Sequence, residues 1–277
     1  MQRVQRVATT ALSAGIVAAI ALTGCSPSET GSPTPTGSVS ASTTIIADPA
    51  AQIAAAADNT ASLDGAHLDL DVAGTVPDLN AKKVTADLVT TPDDAAKGEA
   101  TVVLGTKDPQ EVAAPFVYVD GVLYADIAGD GYLSYGDGKS IYDVSVFLDP
   151  ENGLANVLRE FRNPTEIGSE TIAGVETRQI NGTVPAGALA ALTGARQIVG
   201  PRDTPVPITV WLTTGTNQLA RLVFGPDPAD SATTITVDLS DWNKTVAVTK
   251  PDVIQTPTET PSGTTTPGQP TRDPAGG

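Results

Sequence analysis

Apolar and polar residues alternate with a period of two through most of the chain between Ala66 and Val248, and this narrows the fold more than any other feature. Successive side chains of a strand point to opposite faces, so such alternation marks a sheet with one face on a core and the other in water. Ala66, Leu68, Leu70 and Val72 alternate with His67, Asp69 and Asp71, and Val84, Ala86 and Leu88 with Lys83, Thr85 and Asp87. Ala100, Val102 and Leu104 follow, offset by Glu99, Thr101 and Val103. Phe116–Val119 and Val122–Ala125 flank Asp120-Gly121, a two-residue hairpin signal because a type I′ turn needs positive φ at both central positions. Ile208, Val210 and Leu212 precede a Gly215-Thr216-Asn217 turn and then Leu219–Phe224, while Thr234–Leu239 and Thr245–Val248 complete the predicted strands. The pattern predicts an antiparallel sheet wetted on one side.

Three segments break the alternation and predict helices. Pro49–Ser62 is alanine-rich, with Asp48 placed to cap it and Pro49 at the first helical position. Asp149-Pro150 opens a second by the same logic, running through Leu154, Val157, Leu158 and Phe161 until Asn163-Pro164 ends it. The third covers Pro185 to about Thr193. The strands present Leu, Ile and Val on one face, whereas the helices carry mainly Ala. Interiors are close-packed. Either the small side chains pack directly on the sheet, or the sheet curves and the helices stand off, leaving an apolar chamber that suits a lipid.

Both ends of the chain have a different composition. Residues 1–24 carry Arg3 and Arg6 ahead of an apolar run from Val7 to Leu22, the layout of a secretory signal peptide. The run is about 16 residues, short against the roughly 20 of a membrane span. It closes on Leu22-Thr23-Gly24-Cys25, a bacterial lipobox, in which small residues let an extended backbone enter the peptidase and the cysteine thiol takes up diacylglycerol. Cys25 is the only cysteine of the chain, so disulfides are excluded. Residues 25–47, the lipidated cysteine and its tether, are rich in Ser, Thr, Pro and Gly, and so is the tail 251–277; neither has apolar periodicity. Residues 48–250 are the expected folded domain.

Removing the two arginines of the signal takes the formal charge from −16 to −18. Such a surface repels phosphate backbones and disfavours nucleic acid as a partner. His67, the only histidine, stands in polar alternation beside two aspartates, which places it on a solvated strand face and leaves a Ser-His-Asp triad without support. A zinc site of several His or Cys ligands is excluded by counting. Asp126, Asp130 and Asp137 lie among glycines without the spacing of an EF-hand and read as turn residues. Glu166, Glu170 and Glu176 read as loop and strand-end charges rather than a glycosidase pair. No catalytic residue, metal or cofactor is expected.

A set of short motifs then carries a resemblance. Phe116-Val117, Asp120-Gly121-Val122-Leu123-Tyr124-Ala125, Ile141-Tyr142-Asp143, Leu148-Asp149-Pro150, Gly153-Leu154-Ala155-Asn156-Val157-Leu158, Val210-Trp211 and Leu239-Ser240-Asp241-Trp242 resemble, in order and spacing, the mycobacterial LppX/LprA/LprF/LprG lipoproteins. LprG and LprF are the nearest in pattern, although the Thr/Pro-rich tail goes beyond LprG. The resemblance implies an α+β fold: a strongly curved antiparallel half-barrel with helices on its concave face, enclosing an apolar cavity for acylated lipids or lipoglycans. It also implies a role in carrying them from the plasma membrane across the cell envelope, with a lipid transporter as a further partner. The expected anchor is Cys25, on the extracytoplasmic face of the plasma membrane. The expected lipid contacts are Leu68, Leu70, Leu88, Ala100, Val102, Val117, Val119, Val122 and Tyr124. The alternative is a non-carrier scaffold or partner-binding lipoprotein with a closed core.

Overall fold

The computed structural model describes residues 48–254 apart from 77–78, 106–107, 139–143, 194–200 and 227–231. Residues 1–47, with Cys25, lie outside the described residues, as do Ile141-Tyr142-Asp143 and the tail from 255. Eleven strands are described: β1 (Gly65–Ala73), β2 (Ala81–Val89), β3 (Ala95–Leu104), β4 (Gln110–Val119), β5 (Val122–Ala125), β6 (Leu133–Asp137), β7 (Arg162–Ile172), β8 (Val175–Pro185), β9 (Pro205–Thr213), β10 (Leu219–Phe224) and β11 (Thr234–Ser240). They form one sheet in the order β6-β5-β4-β3-β2-β1-β11-β10-β9-β8-β7. Every neighbouring pair is antiparallel, as the alternation predicts. The end strands β6 and β7 do not pair with each other, so the sheet is open rather than a closed barrel.

Three helices, α1 (Pro49–Ala61), α2 (Leu154–Arg159) and α3 (Ala186–Thr193), and a 3₁₀ turn at Val144–Leu148 pack on one face of this sheet. α1 starts where the sequence predicts, with the Asp48 side chain accepting from the Ala50 N–H at 3.1 Å. It buries Ile53, Ala56, Ala57 and Thr60, the spacing of one helical face. α2 differs from expectation. Asp149 does not open it; its carboxylate instead accepts from the N–H groups of Glu151 and Asn152 at 2.8 Å, forming a turn, and the helix starts after Gly153 and ends at Arg159. Pro164 lies inside β7.

Three further differences concern strands. β6 occupies the glycine- and aspartate-rich stretch, which reads as turns. β7 and β8 carry all three glutamates: Glu170 near the end of β7 and Glu176 near the start of β8 are strand-end charges, whereas Glu166 lies inside β7 rather than in a loop. Their turn is Ala173-Gly174 at φ 48° and 83°, a left-handed pair in which alanine takes the place usually given to Asn, Asp or Gly. Thr245–Val248 belongs to no strand. It is extended chain lying on the sheet's outer face, and its alternation reflects burial on one side only.

The core is one contiguous cluster on the helix side, including Leu68, Leu88, Ile180, Leu212, Leu222 and Leu239 from the strands. Phe147, Leu154, Leu158 and Leu189 are buried opposite them. The bulk that alanine-rich α1 lacks therefore comes from the 3₁₀ turn, α2 and α3, and the mismatch of volumes is smaller than the sequence indicates. Both sheet edges are blunted. β7 carries Pro164 and two register shifts, and next to β6 Tyr132 pairs with Val253. Val253 and Ile254 thus lie against the chain beside β6.

Candidate functional site

The strand register places small residues together. On the core face Ala86 pairs with Gly98, Gly98 with Phe116 and Phe116 with Ala125; one row along, Ala100 pairs with Ala114, and in the opposite direction Ala96 pairs with Tyr118. Ala86, Ala96, Gly98, Ala100, Ala114 and Ala125 thus put small side chains on this part of the core face, a floor interrupted on β4 by Phe116 and Tyr118. Leu68, Leu70 and Val84 flank it on β1 and β2. Along β3 burial falls steadily: Ala96 is fully buried, Ala100 and Val102 are half-buried, and Leu104 is 38% exposed. Leu79, Ala81, Leu123 and Ile127 are partly buried around the same floor. Apolar residues therefore continue along the core face of β3 from the buried interior to exposed Leu104.

Of the core-face residues on β3 and β4, only Tyr118 carries an ionisable group. Such a surface offers desolvation and dispersion rather than acid–base or nucleophilic chemistry. The histidine lies elsewhere. His67 is on the outer face, its Nδ1 2.7 Å from Asp87 Oδ1. The carboxylate of Asp87 also accepts from Lys244 Nζ at 3.2 Å. Thr85 donates to Asp69 at 2.6 Å, and Asp126 accepts from the Gly129 N–H at 2.7 Å, a turn contact. No group of three or more potential metal ligands occurs among the described residues.

Burial pushes the Asp87 carboxyl up, but hydrogen bonds from His67 and Lys244, with their charges, outweigh it and hold the group below the ordinary carboxylate value. A depressed folded pKa stabilises the protein above the unfolded value, and that contribution is lost as the pH falls through the folded one. Asp87→Asn is therefore expected to lower the melting temperature at neutral pH. The gap from the wild type should begin to narrow as the pH falls below about 4, the ordinary carboxylate value, and close only below the depressed folded value, where both states are protonated. A gap that stays constant from pH 7 to pH 3 would contradict the assignment.

The nine residues expected to touch lipid do not form one surface. Leu68, Leu70, Leu88, Ala100 and Val102 share the core face. Val117 pairs with Tyr124 and Val119 with Val122, so each pair does share a face, but it is the outer one. β4 and β5 present Phe116, Tyr118, Leu123 and Ala125 to the core instead. The alternation of β4 is ambiguous because both of its faces are apolar. The Asp120-Gly121 turn, with φ of 54° and 75°, fixes which residues pair but not which way they face.

The model of the LppX_LprAFG lipoproteins matches residues 48–248. The chain belongs to that family. Lipoprotein LprA of Mycobacterium tuberculosis is 39% identical over 206 residues, covering 74% of this chain and 82% of LprA. A lipoarabinomannan carrier protein, LprG of Mycolicibacterium smegmatis, is 38% identical over 254 residues, covering 91% of this chain and 99% of LprG. The crystal structure of LprF from Mycobacterium bovis superposes with a TM-score of 0.64 at 26% identity, over 73% of this chain and 96% of LprF. That of LppX from Mycobacterium tuberculosis gives 0.54 at 24% identity, over 73% of this chain and 98% of LppX, and speaks for the fold alone. The open antiparallel sheet with few helices is thus the fold of this LppX_LprAFG chain, and the family includes named lipoglycan carriers.

Proposed function

We propose that this LppX_LprAFG lipoprotein binds the acyl chains of a lipid or lipoglycan between the sheet and the helices and carries it across the cell envelope, held to the membrane through lipidated Cys25. The observation that carries this reading is the run of apolar residues along the core face of β3, graded from buried Ala96 to exposed Leu104. The 3₁₀ turn contacts β2 and β3 while α3, which it touches, contacts β8. Five strand intervals separate β2 from β8, roughly 24 Å in a flat sheet. Short elements reach both most readily when the sheet curves around them, and the ligand would lie beside them on that concave side. Each methylene moved from water onto such a surface contributes about 0.8 kcal/mol, so affinity comes from the chains, and the headgroup stays at the exposed end. The name of the LprG relative supports a lipoglycan as cargo.

A fluorescent fatty-acid probe titrated into the soluble chain tests the binding. Saturable enhancement, displaced by a diacyl lipid, is expected. A linear, unsaturable signal would favour the scaffold reading. For the anchor, cells fed labelled palmitate should label the wild type and not Cys25→Ala, which should leave the membrane fraction. Label retained in Cys25→Ala would refute lipidation at this residue.

A further inference from the structure

We propose that residues 241–254 are a strap that holds the β5–β6 hairpin shut over the edge of the small-residue floor, and that its release lets an acyl chain enter or leave. The lipid half of this rests on the function proposed above; the mechanical half does not.

The segment begins with a sharp corner. Asp241 and Asn243 both take left-handed φ, 49° and 62°, which Asp and Asn tolerate better than most residues. The corner is tied to the start of β1: the Asn243 N–H donates to Gly65 O at 2.7 Å, and the Asp64 N–H donates to the Asn243 side chain at 3.1 Å. A Cβ on Gly65 would lie 2.7 Å from Lys244 O, so the close crossing requires the glycine. Trp242 packs against the core cluster and donates to Leu219 O at 3.0 Å.

From there the chain crosses the outer face. The register His67–Asp87–Lys97–Val117–Tyr124 defines one row perpendicular to the strands, from β1 to β5. The strap follows that row. Lys244 Nζ meets Asp87 on β2, Lys97 Nζ on β3 donates to Ala247 O at 3.1 Å, and Lys250 Nζ stands 5.6 Å from the centre of the Tyr124 ring on β5. It ends beside β6, where Val253 pairs with Tyr132 and the Ile254 N–H donates to Tyr132 O at 3.0 Å. Val117 and Tyr124 point outward, yet only 9% and 5% of each is exposed.

The hairpin so held is built from the two shortest strands among the described residues. β5 has four residues and β6 five, with a register shift between them. Its core face carries Leu123 and Ala125, which lie beside Phe116 and Tyr118 at the margin of the floor. Peeling β5 and β6 away would open that margin sideways. Local openings of this kind occur where few contacts resist them. The strap supplies resistance from the far side, so a chain inside is retained while the strap is seated.

The test uses the full chain carrying Cys25→Ala, with Lys244→Met/Lys250→Ala as the released variant and Lys250→Ala alone as a milder one that touches only the Tyr124 contact. Amide hydrogen exchange and dissociation of a fluorescent fatty acid are measured on each. The expected result is exchange on the order of tenfold faster at residues 122–125 and 133–137, unchanged exchange in β8 and β9, and faster probe release in the same order of variants. Unaltered exchange in β5 and β6, or equal loss across all strands, would overturn the strap. Faster exchange with unchanged probe release would overturn its coupling to the ligand. A wild type that binds no probe would refute the carrier reading and the coupling with it, while the exchange result would still decide whether the strap holds the hairpin.

Discussion

Gly98→Ala is expected to destabilise the domain severely. A Cβ on Gly98 would lie within 3.0 Å of Thr85 O, Ala86 Cα and Ala86 Cβ. Two of these are backbone atoms of β2, the strand paired with it, so no side-chain rotation relieves the contact. Overpacking commonly costs 1–3 kcal/mol, and a clash with backbone belongs at or above the upper end of that range. For a domain of this size a loss of about 3 kcal/mol lowers Tm by roughly 10 °C. Thermal melts monitored by circular dichroism measure this. A Tm within about 2 °C of the wild type would show that β2 and β3 are not held so closely.

Ala100→Trp is expected to remove bound lipid while leaving the fold near wild-type stability. Ala100 is half-buried on the core face, in register with Ala114, where the floor begins to open. An indole there fills the space that an acyl chain would take. In a closed core the same substitution overpacks and costs about 1–3 kcal/mol. Melting temperature and lipid content, read on one preparation, separate the two cases. A large fall in Tm with no lipid present in the wild type would favour the scaffold. Intact stability with unchanged lipid would show that chains do not lie over Ala100.

Where one strand face is apolar and the other polar, the sequence alone determines facing. Leu68, Leu70 and Leu88 fall on the core side as expected, because His67, Asp69 and Asp87 hold the other face in water. β4 and β5 defeat this logic for a physical reason. The strap buries their outer face, so Val117 and Tyr124 are as apolar as their core-facing neighbours Phe116 and Tyr118. The strap itself imitates a strand, since a segment lying flat on a surface also buries every second residue. β7 and β8 are obscured by charge and by a turn built on Ala173 rather than on Asn or Asp. The small-residue floor is legible only after pairing, since Ala86, Gly98 and Ala114 are far apart in the chain and meet through register. The order of the motifs does identify the family; among the described ones, Asp120-Gly121 forms the β4–β5 turn, Leu148-Asp149-Pro150 and Gly153 lead into α2, and Asp241-Trp242 lies at the corner after β11.

On the proposed function, lipid occupies the space between the helices and the core face of β2–β5. Mass spectrometry of an organic extract from the purified chain carrying Cys25→Ala tests it most directly, since no covalent lipid then contributes. An acylated lipid or lipoglycan recovered in roughly molar proportion to protein, and lost in Ala100→Trp, is the result expected. An extract without lipid, from protein produced in a mycobacterial host and purified without detergent, would contradict it.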